Sequence, residues 1–161
     1  MNKQELQNEI NKTKEHLANL ENMLTVGECE RWKPKEGEVF YFLNGYNELC
    51  FKIFKDDVIE NTLYKTYNCF QTQEQAEAEA EKILVRRMLE DIARRLNKGE
   101  KIDWNNNKRK YYIELFYNNI LLDSNAFYKT QGTVFCLDEN FKDVAIREIG
   151  EERLMKYLRG E

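Results

Sequence analysis

The segment EVFYFLNGYNELCFKIF, residues 38–54, constrains the fold of this chain more than any other stretch. Two runs rich in β-branched and aromatic residues flank the dipeptide Asn44-Gly45. Asparagine followed by glycine readily adopts positive φ at both positions, as a type I′ turn between antiparallel strands requires. The segment therefore predicts a β-hairpin. The polar residues 55–62 that follow are predicted to form a loop or a weak strand.

A third strand and a long helix are predicted after the hairpin. Residues 63–70 (LYKTYNCF) have the composition of a strand. Thr72 precedes an acidic turn, so it is predicted to cap a helix that covers about residues 73–97 and ends near Lys98-Gly99. The apolar face of this helix is predicted to comprise Ala76, Ala80, Ile83, Leu84, Leu89, Ile92 and Leu96.

The same order of elements recurs in the second half of the chain. Residues 110–128 predict two strands around Asn118-Asn119, a pair that tolerates left-handed backbone. Residues 132–137 (GTVFCL) predict a third strand. Each half also places one tryptophan, Trp32 or Trp104, in a polar connector ahead of its hairpin, and we expect Trp32 to anchor its connector to the core.

A helix is predicted to close this second half. It covers residues 138–149, with Asp138 as its N-cap. Gly150 interrupts the pattern, and residues 151–158 predict one or two further helical turns.

These elements predict an α+β fold with an N-terminal amphipathic helix and two similar β-β-β-α units. Strands followed by a helix indicate antiparallel sheet with the helices packed on one face. The predicted divisions are residues 1–27 for the N-terminal helix, 28–99 for the first unit and 100–161 for the second. Whether the units share one sheet or form two lobes is left open.

The N-terminal helix carries a narrow apolar stripe with heptad spacing. The stripe consists of Leu6, Ile10, Leu17, Leu20 and Leu24. A helix of so few heptads is barely stable on its own, and the apolar stripe therefore has to be covered by another surface. Three alternatives for the covering surface are left open. It could be a second copy of the chain, in a coiled-coil homodimer, or this protein's own body, or a separate partner.

The composition narrows the classes of partner and cofactor. A formal net charge of -4 fits a protein partner better than nucleic acid, whose phosphates require a basic face. The cysteines form no C-x-x-C pair and the sole histidine is His16, so no zinc or other cofactor is expected. Cys29, Cys50, Cys69 and Cys136 are interpreted as reduced packing residues. Without a signal peptide or an apolar run of about 20 residues, a cytoplasmic protein with no membrane segment is expected.

No catalytic constellation is present, so the chain is interpreted as a non-enzyme. The lone His16 lies on the N-terminal helix with no nucleophile pattern beside it. The carboxylates Asp56, Asp57, Glu60 and Asp103 could hold a metal for hydrolysis, and this is kept as an alternative. They are interpreted first as solvated acidic loops.

Nucleic-acid binding is a second alternative, which rests on a basic and aromatic stretch. Lys108, Arg109 and Lys110 precede Tyr111 and Tyr112, and such a stretch could contact phosphates and stack on bases. It reads equally well as the polar start of a strand whose tyrosines pack across a sheet.

Five short motifs resemble a group of small proteins encoded by phages and prophages of low-GC Gram-positive bacteria. They are W-x-P-x-x-G-E-x-x-Y at 32–41, N-x-F-x-T-x-E-x-A-E at 68–77, D-W-N at 103–105, K-Y-Y-I at 110–113 and A-I-x-E-I-G-E-E-R-L-x-K-Y-L at 145–158. The group carries no agreed activity, so the resemblance assigns no catalytic residue. It implies a phage accessory protein that binds a bacterial host protein stoichiometrically. Such a protein would inhibit a defence system, as anti-CRISPR proteins do, with a defence nuclease complex as one partner.

Overall fold

The computed structural model describes residues 14, 31–125 and 128–161. The chain divides into two compact units, Met1–Lys33 and Pro34–Glu161. All elements named below belong to the second unit. The five residues of the N-terminal apolar stripe lie outside the described residues, and so does Cys29.

Two hairpins and four helices make up the described part of Pro34–Glu161. In chain order they are β1 Val39–Leu43, β2 Leu49–Ile53, α1 Val58–Lys65, α2 Gln73–Leu96, β3 Lys110–Phe116, β4 Asn119–Asn125, α3 Phe141–Ile149 and α4 Glu151–Arg159. β1 pairs with β2 and β3 with β4, antiparallel in both cases, in two separate sheets. The α+β class is therefore confirmed, whereas the prediction of two β-β-β-α units is wrong.

The first hairpin is confirmed, but its turn differs from the predicted type I′ turn. Asn47, not the Asn44-Gly45 pair, adopts the left-handed conformation, with φ of 65°. Asn44 instead organises the loop through its side chain, because its Oδ1 accepts hydrogen bonds from the N–H of Tyr46 at 2.9 Å and of Glu48 at 3.0 Å. Between the strands, Asn44 N–H donates to Glu48 O at 3.0 Å, so the three residues 45–47 form the turn itself and the last of them, Asn47, is left-handed, another common way to close a hairpin.

The predicted third strand of the first half is reduced to one pair of residues. Tyr41 and Phe70 form an isolated antiparallel bridge. The Asn68 side-chain amide continues the pairing, since its Oδ1 accepts from Leu43 N–H at 2.8 Å and its Nδ2 donates to Leu43 O at 2.6 Å. Tyr67, with φ of 62°, prevents an extended run through this segment.

Helix α1 occupies the segment predicted as loop and strand. Asp57 accepts a hydrogen bond from Glu60 N–H, and the Glu60 side chain accepts one from Asp57 N–H, which is a capping box. The signal was the Asp-x-x-Glu spacing, which our sequence analysis interpreted as a polar loop.

Helix α2 follows the prediction closely. Thr72 caps it and forms a capping box with Gln75. It ends at Leu96, ahead of Gly99, which has positive φ. The buried face differs from the predicted one, because Val85 and Ala93 are buried although neither was predicted, whereas Leu84 is exposed.

The second hairpin turns one residue earlier than predicted. Tyr117 and Asn118 have φ of 47° and 62°, so they form the type I′ turn and Asn119 begins β4. The predicted third strand is again a single bridge, between Tyr111 and Cys136.

Both C-terminal helices are present, and α4 begins at Glu151 as predicted, but α3 starts later than predicted. The prediction of Asp138 as the N-cap is wrong, since Asn140 occupies that position. The Asp138 side chain accepts from Asn140 N–H at 2.8 Å, so α3 begins at Phe141 and not directly after Asp138. Gly150, with φ of 94°, separates α3 from α4 as expected.

The main core lies between α2, the second hairpin, α3 and α4. Its buried residues are Val85, Leu89, Ile92, Ala93, Ile113, Ile120, Cys136, Phe141, Val144, Ala145, Ile149 and Leu154. Two ion pairs tie α2 to the C-terminal helices, Arg95 with Glu148 and Arg153 with Glu81. The first hairpin packs on α2 through a smaller group in which Phe40 is fully buried and its ring meets Phe54 edge-on at 6.0 Å.

Candidate protein-binding surface

Two of the candidate carboxylates fasten α1 to β2. Glu60 is fully buried, and its Oε1 lies 2.9 Å from Lys52 Nζ, which also contacts Asp57 at 3.0 Å. Its other oxygen accepts from Lys55 N–H at 2.6 Å. Burial by itself raises the pKa of Glu60, but the hydrogen bonds from Lys52 and the backbone outweigh it and hold the pKa below its ordinary value. Both carboxylates therefore have a structural role.

The remaining candidate carboxylates organise their own loops. Asp56 Oδ1 accepts from Asn61 Nδ2 at 3.1 Å, and Asp103 Oδ1 accepts from Asn105 N–H at 2.9 Å. Among the described residues, no group of three or more His, Cys, Asp or Glu side chains is arranged to hold a metal ion.

The basic stretch at the start of β3 is not one cationic surface. Lys110 is 0% exposed, and its Nζ donates to Asn106 O at 2.9 Å and lies 5.5 Å from the centre of the Trp104 ring. Lys108 pairs with Glu100 at 2.9 Å. Of the three basic residues predicted to contact a partner, Arg109 alone is exposed without an ion pair to a described residue.

The aromatic residues beside this stretch pack on one another. Phe135 contacts Trp104 edge-on, with ring centres 4.9 Å apart, and Tyr112 at 5.4 Å. The Tyr112 hydroxyl donates to Asp123 at 2.6 Å, which raises the pKa of Tyr112 to about 12. These rings thus form a satellite cluster over the outer side of the second hairpin.

A cleft lies where α2 ends and α3 begins. It has a volume of about 570 Å³ and is open to solvent. Its central polar group, Asn97 Oδ1, already accepts from Leu137 N–H at 2.8 Å and lies 3.3 Å from Cys136 Sγ. Cys136 is fully buried, and this burial raises the pKa of its thiol, which fits the predicted packing role.

The first hairpin carries apolar side chains on both of its faces, and the described chain leaves a large part of one face exposed. Val39 lies opposite Ile53, and Tyr41 lies opposite Phe51, so all four side chains share a face. Phe51 is 72% exposed, and Val39 and Ile53 are each about half exposed. We call Val39, Phe51 and Ile53 the hairpin face.

A continuous apolar strand is expected where both faces of a sheet are buried. The sequences VFYFL and LCFKI have this composition, and α2 covers the side that carries Phe40. Contiguous exposed apolar side chains with an aromatic at the centre are typical of a protein-binding surface. This surface was not predicted from the sequence, although its signal was present, since Lys52 is the only charged residue in β1 and β2.

A smaller exposed group lies at the tip of the second hairpin. Phe116 is 55% exposed, and its ring meets that of Tyr117 edge-on at 4.5 Å. These two side chains make a natural comparison for the hairpin face, because they too are exposed aromatics on an antiparallel hairpin.

Within the described residues, no helix combines the length and the apolarity needed to cross a bilayer.

Comparisons of the chain with protein-family models, with curated proteins and with solved structures give no significant match.

Proposed function

We propose that this protein acts by stoichiometric binding to another protein, and that the hairpin face is the surface that binds. The observation that carries the proposal is Phe51, a large aromatic side chain left 72% exposed between two other exposed apolar residues. Aromatic residues at the centre of an apolar patch supply a large share of the binding energy in protein interfaces. Two exposed charged residues, Glu38 and Lys55, lie at one end of this patch.

The partner class in this proposal is a bacterial host protein in the host cytosol. The resemblance to phage and prophage proteins supports that choice, and the net charge of -4 fits a protein partner. In this account the protein disables a component of a bacterial defence system by occupying its surface, with no chemical step of its own.

Affinity capture with a matched pair of variants tests the proposal. The tagged full chain is passed through cytosolic extract of a low-GC Gram-positive host, and the retained proteins are quantified by mass spectrometry. We expect one host protein to be retained near stoichiometrically. Phe51→Lys should lower its recovery at least tenfold, because a hot-spot aromatic contributes on the order of 2 kcal/mol or more.

The control is Phe116→Lys, the same substitution on the exposed face of the other hairpin. It should leave recovery unchanged. If recovery of the host protein falls with Phe116→Lys but not with Phe51→Lys, the partner binds the second hairpin and not the hairpin face, and the proposal is refuted. Circular dichroism of both variants checks that they fold.

A further inference from the structure

One edge of the first hairpin is closed. Tyr41 N–H donates to Phe70 O at 3.0 Å, and Phe70 N–H donates to Tyr41 O at 2.9 Å. The backbone groups of Tyr41 therefore point away from β2. Leu43 is satisfied in the same direction by the Asn68 amide. The outer edge of β1 thus has partners within the chain.

The other edge, along β2, is open. In an antiparallel pair, two opposite residues either both point their backbone groups at each other or both point them outward. Because Tyr41 points outward, its partner Phe51 does too, and the alternation extends to Leu49 and Ile53. Phe54 fits this alternation, since its N–H donates inward to Glu38 O at 2.8 Å. Among the described residues, none hydrogen-bonds to the outward groups of β2.

We propose that this edge pairs antiparallel with β2 of a second copy of the chain, about a two-fold axis at Phe51. In that register Phe51 lies opposite itself, and Leu49 lies opposite Ile53 of the second copy. Each such pair can exchange both backbone hydrogen bonds. The facing side chains are all apolar, so the strand is complementary to itself, as an isologous interface requires.

The charges of β2 favour this register over its neighbours. A pairing centred on Lys52 would set two ammonium groups directly opposite each other, which destabilises a sheet. A pairing centred on Cys50 would set Ile53 opposite Asn47. Asn47 has a φ of 65°, so its backbone is not extended and cannot pair as a strand residue. Centred on Phe51, the pairing sets Lys52 opposite Cys50.

Edge pairing would enlarge the hairpin face and leave it accessible. The hydrogen bonds form in the plane of the sheet, while the side chains of Val39, Phe51 and Ile53 project from its surface. The result is a four-stranded sheet that presents two adjoining hairpin faces. This inference does not depend on the proposed function, because the test below reads the oligomeric state without any host protein.

Charge reversal across the two-fold axis tests the pairing in the full chain. Sedimentation equilibrium should show a dimer for the wild type. Phe51→Lys and Phe51→Glu should each raise the dissociation constant at least about tenfold, because each sets like charges opposite each other. An equimolar mixture of the two variants should restore the dimer as a heterodimer. The control pair Phe116→Lys and Phe116→Glu should dimerise like the wild type.

Several results would overturn the inference. A wild type that is monomeric at every concentration shows that the edge does not pair with a second copy. A dimer that persists in Phe51→Lys uses another surface, such as the N-terminal helix, and an equimolar mixture of Phe51→Lys and Phe51→Glu that stays monomeric refutes the two-fold axis.

If the charged variants fail to fold, Phe51→Cys in a Cys50→Ser background gives a second test. Residues that pair across an antiparallel sheet lie about 5.5 Å apart at Cα, within disulfide range, so oxidation should cross-link two chains. No cross-link would refute the register.

Discussion

Replacing Phe141 with alanine is expected to lower the free energy of unfolding by about 3–5 kcal/mol. Phe141 begins α3 and is 1% exposed, within the core formed by α2, the second hairpin and α4. Truncation removes the buried ring and leaves a cavity that the surrounding helices fill only in part. Because a domain of this size is stable by only about 5–15 kcal/mol, the variant should be marginal at 37 °C.

Urea unfolding followed by circular dichroism measures this loss. Phe116→Ala is the control, since Phe116 is exposed on the second hairpin and its truncation should cost no more than about 1 kcal/mol. Equal losses in the two variants would show that Phe141 is not at the centre of a packed core.

The second large effect is expected from Lys110→Ala, at about 2–4 kcal/mol of unfolding free energy. The buried ammonium holds the loop before β3 through Asn106 and lies over the Trp104 ring. Alanine would remove both the charged hydrogen bonds and the buried stem.

Thermal unfolding monitored by tryptophan fluorescence suits this prediction, because Trp104 reports on the loop itself. Arg109→Ala is the matched control, a neighbouring basic residue that is exposed and should change stability little. If Lys110→Ala were as stable as Arg109→Ala, Lys110 would be solvated, as the nucleic-acid-binding alternative requires of a residue that contacts phosphates.

Elements with a strong local signal were predictable from the sequence. Thr72 with Gln75 marks the start of α2, and Gly150 marks the break between α3 and α4, because caps and left-handed positions are decided within a few residues. Both hairpins were also predictable, although Asn44 acts through its side chain and the second turn is shifted to Tyr117.

Elements that depend on distant contacts were not predictable in the same way. The predicted third strands have suitable composition, but a strand exists only where a neighbour pairs with it. Asn68 takes over one such pairing with a side chain. Helix α1 did have a local signal in its Asp57–Glu60 capping box, but the contact of Lys52 from β2 with Glu60 depends on the fold. Composition alone does not contain this information.

The candidate site followed the same division. The charge of Lys110 suggested a surface residue, because lysine is rarely buried without partners, and those partners are set by the loop fold. The hairpin face was not predicted for the opposite reason, since the apolar residues of β1 and β2 resemble those of core strands, whereas Val39, Phe51 and Ile53 are exposed in the structure.

Amide hydrogen exchange along β2, measured by NMR on the full chain, tests most directly whether this edge is open and used. At dilute, monomeric concentrations we expect Phe51 and Ile53 to exchange at least about tenfold faster than Cys50 and Lys52, whose N–H groups bond to β1. On concentration into the dimer range, Phe51 and Ile53 should become protected. Equal protection of all four amides in the dilute sample would mean that the edge is already covered, and it would contradict the account.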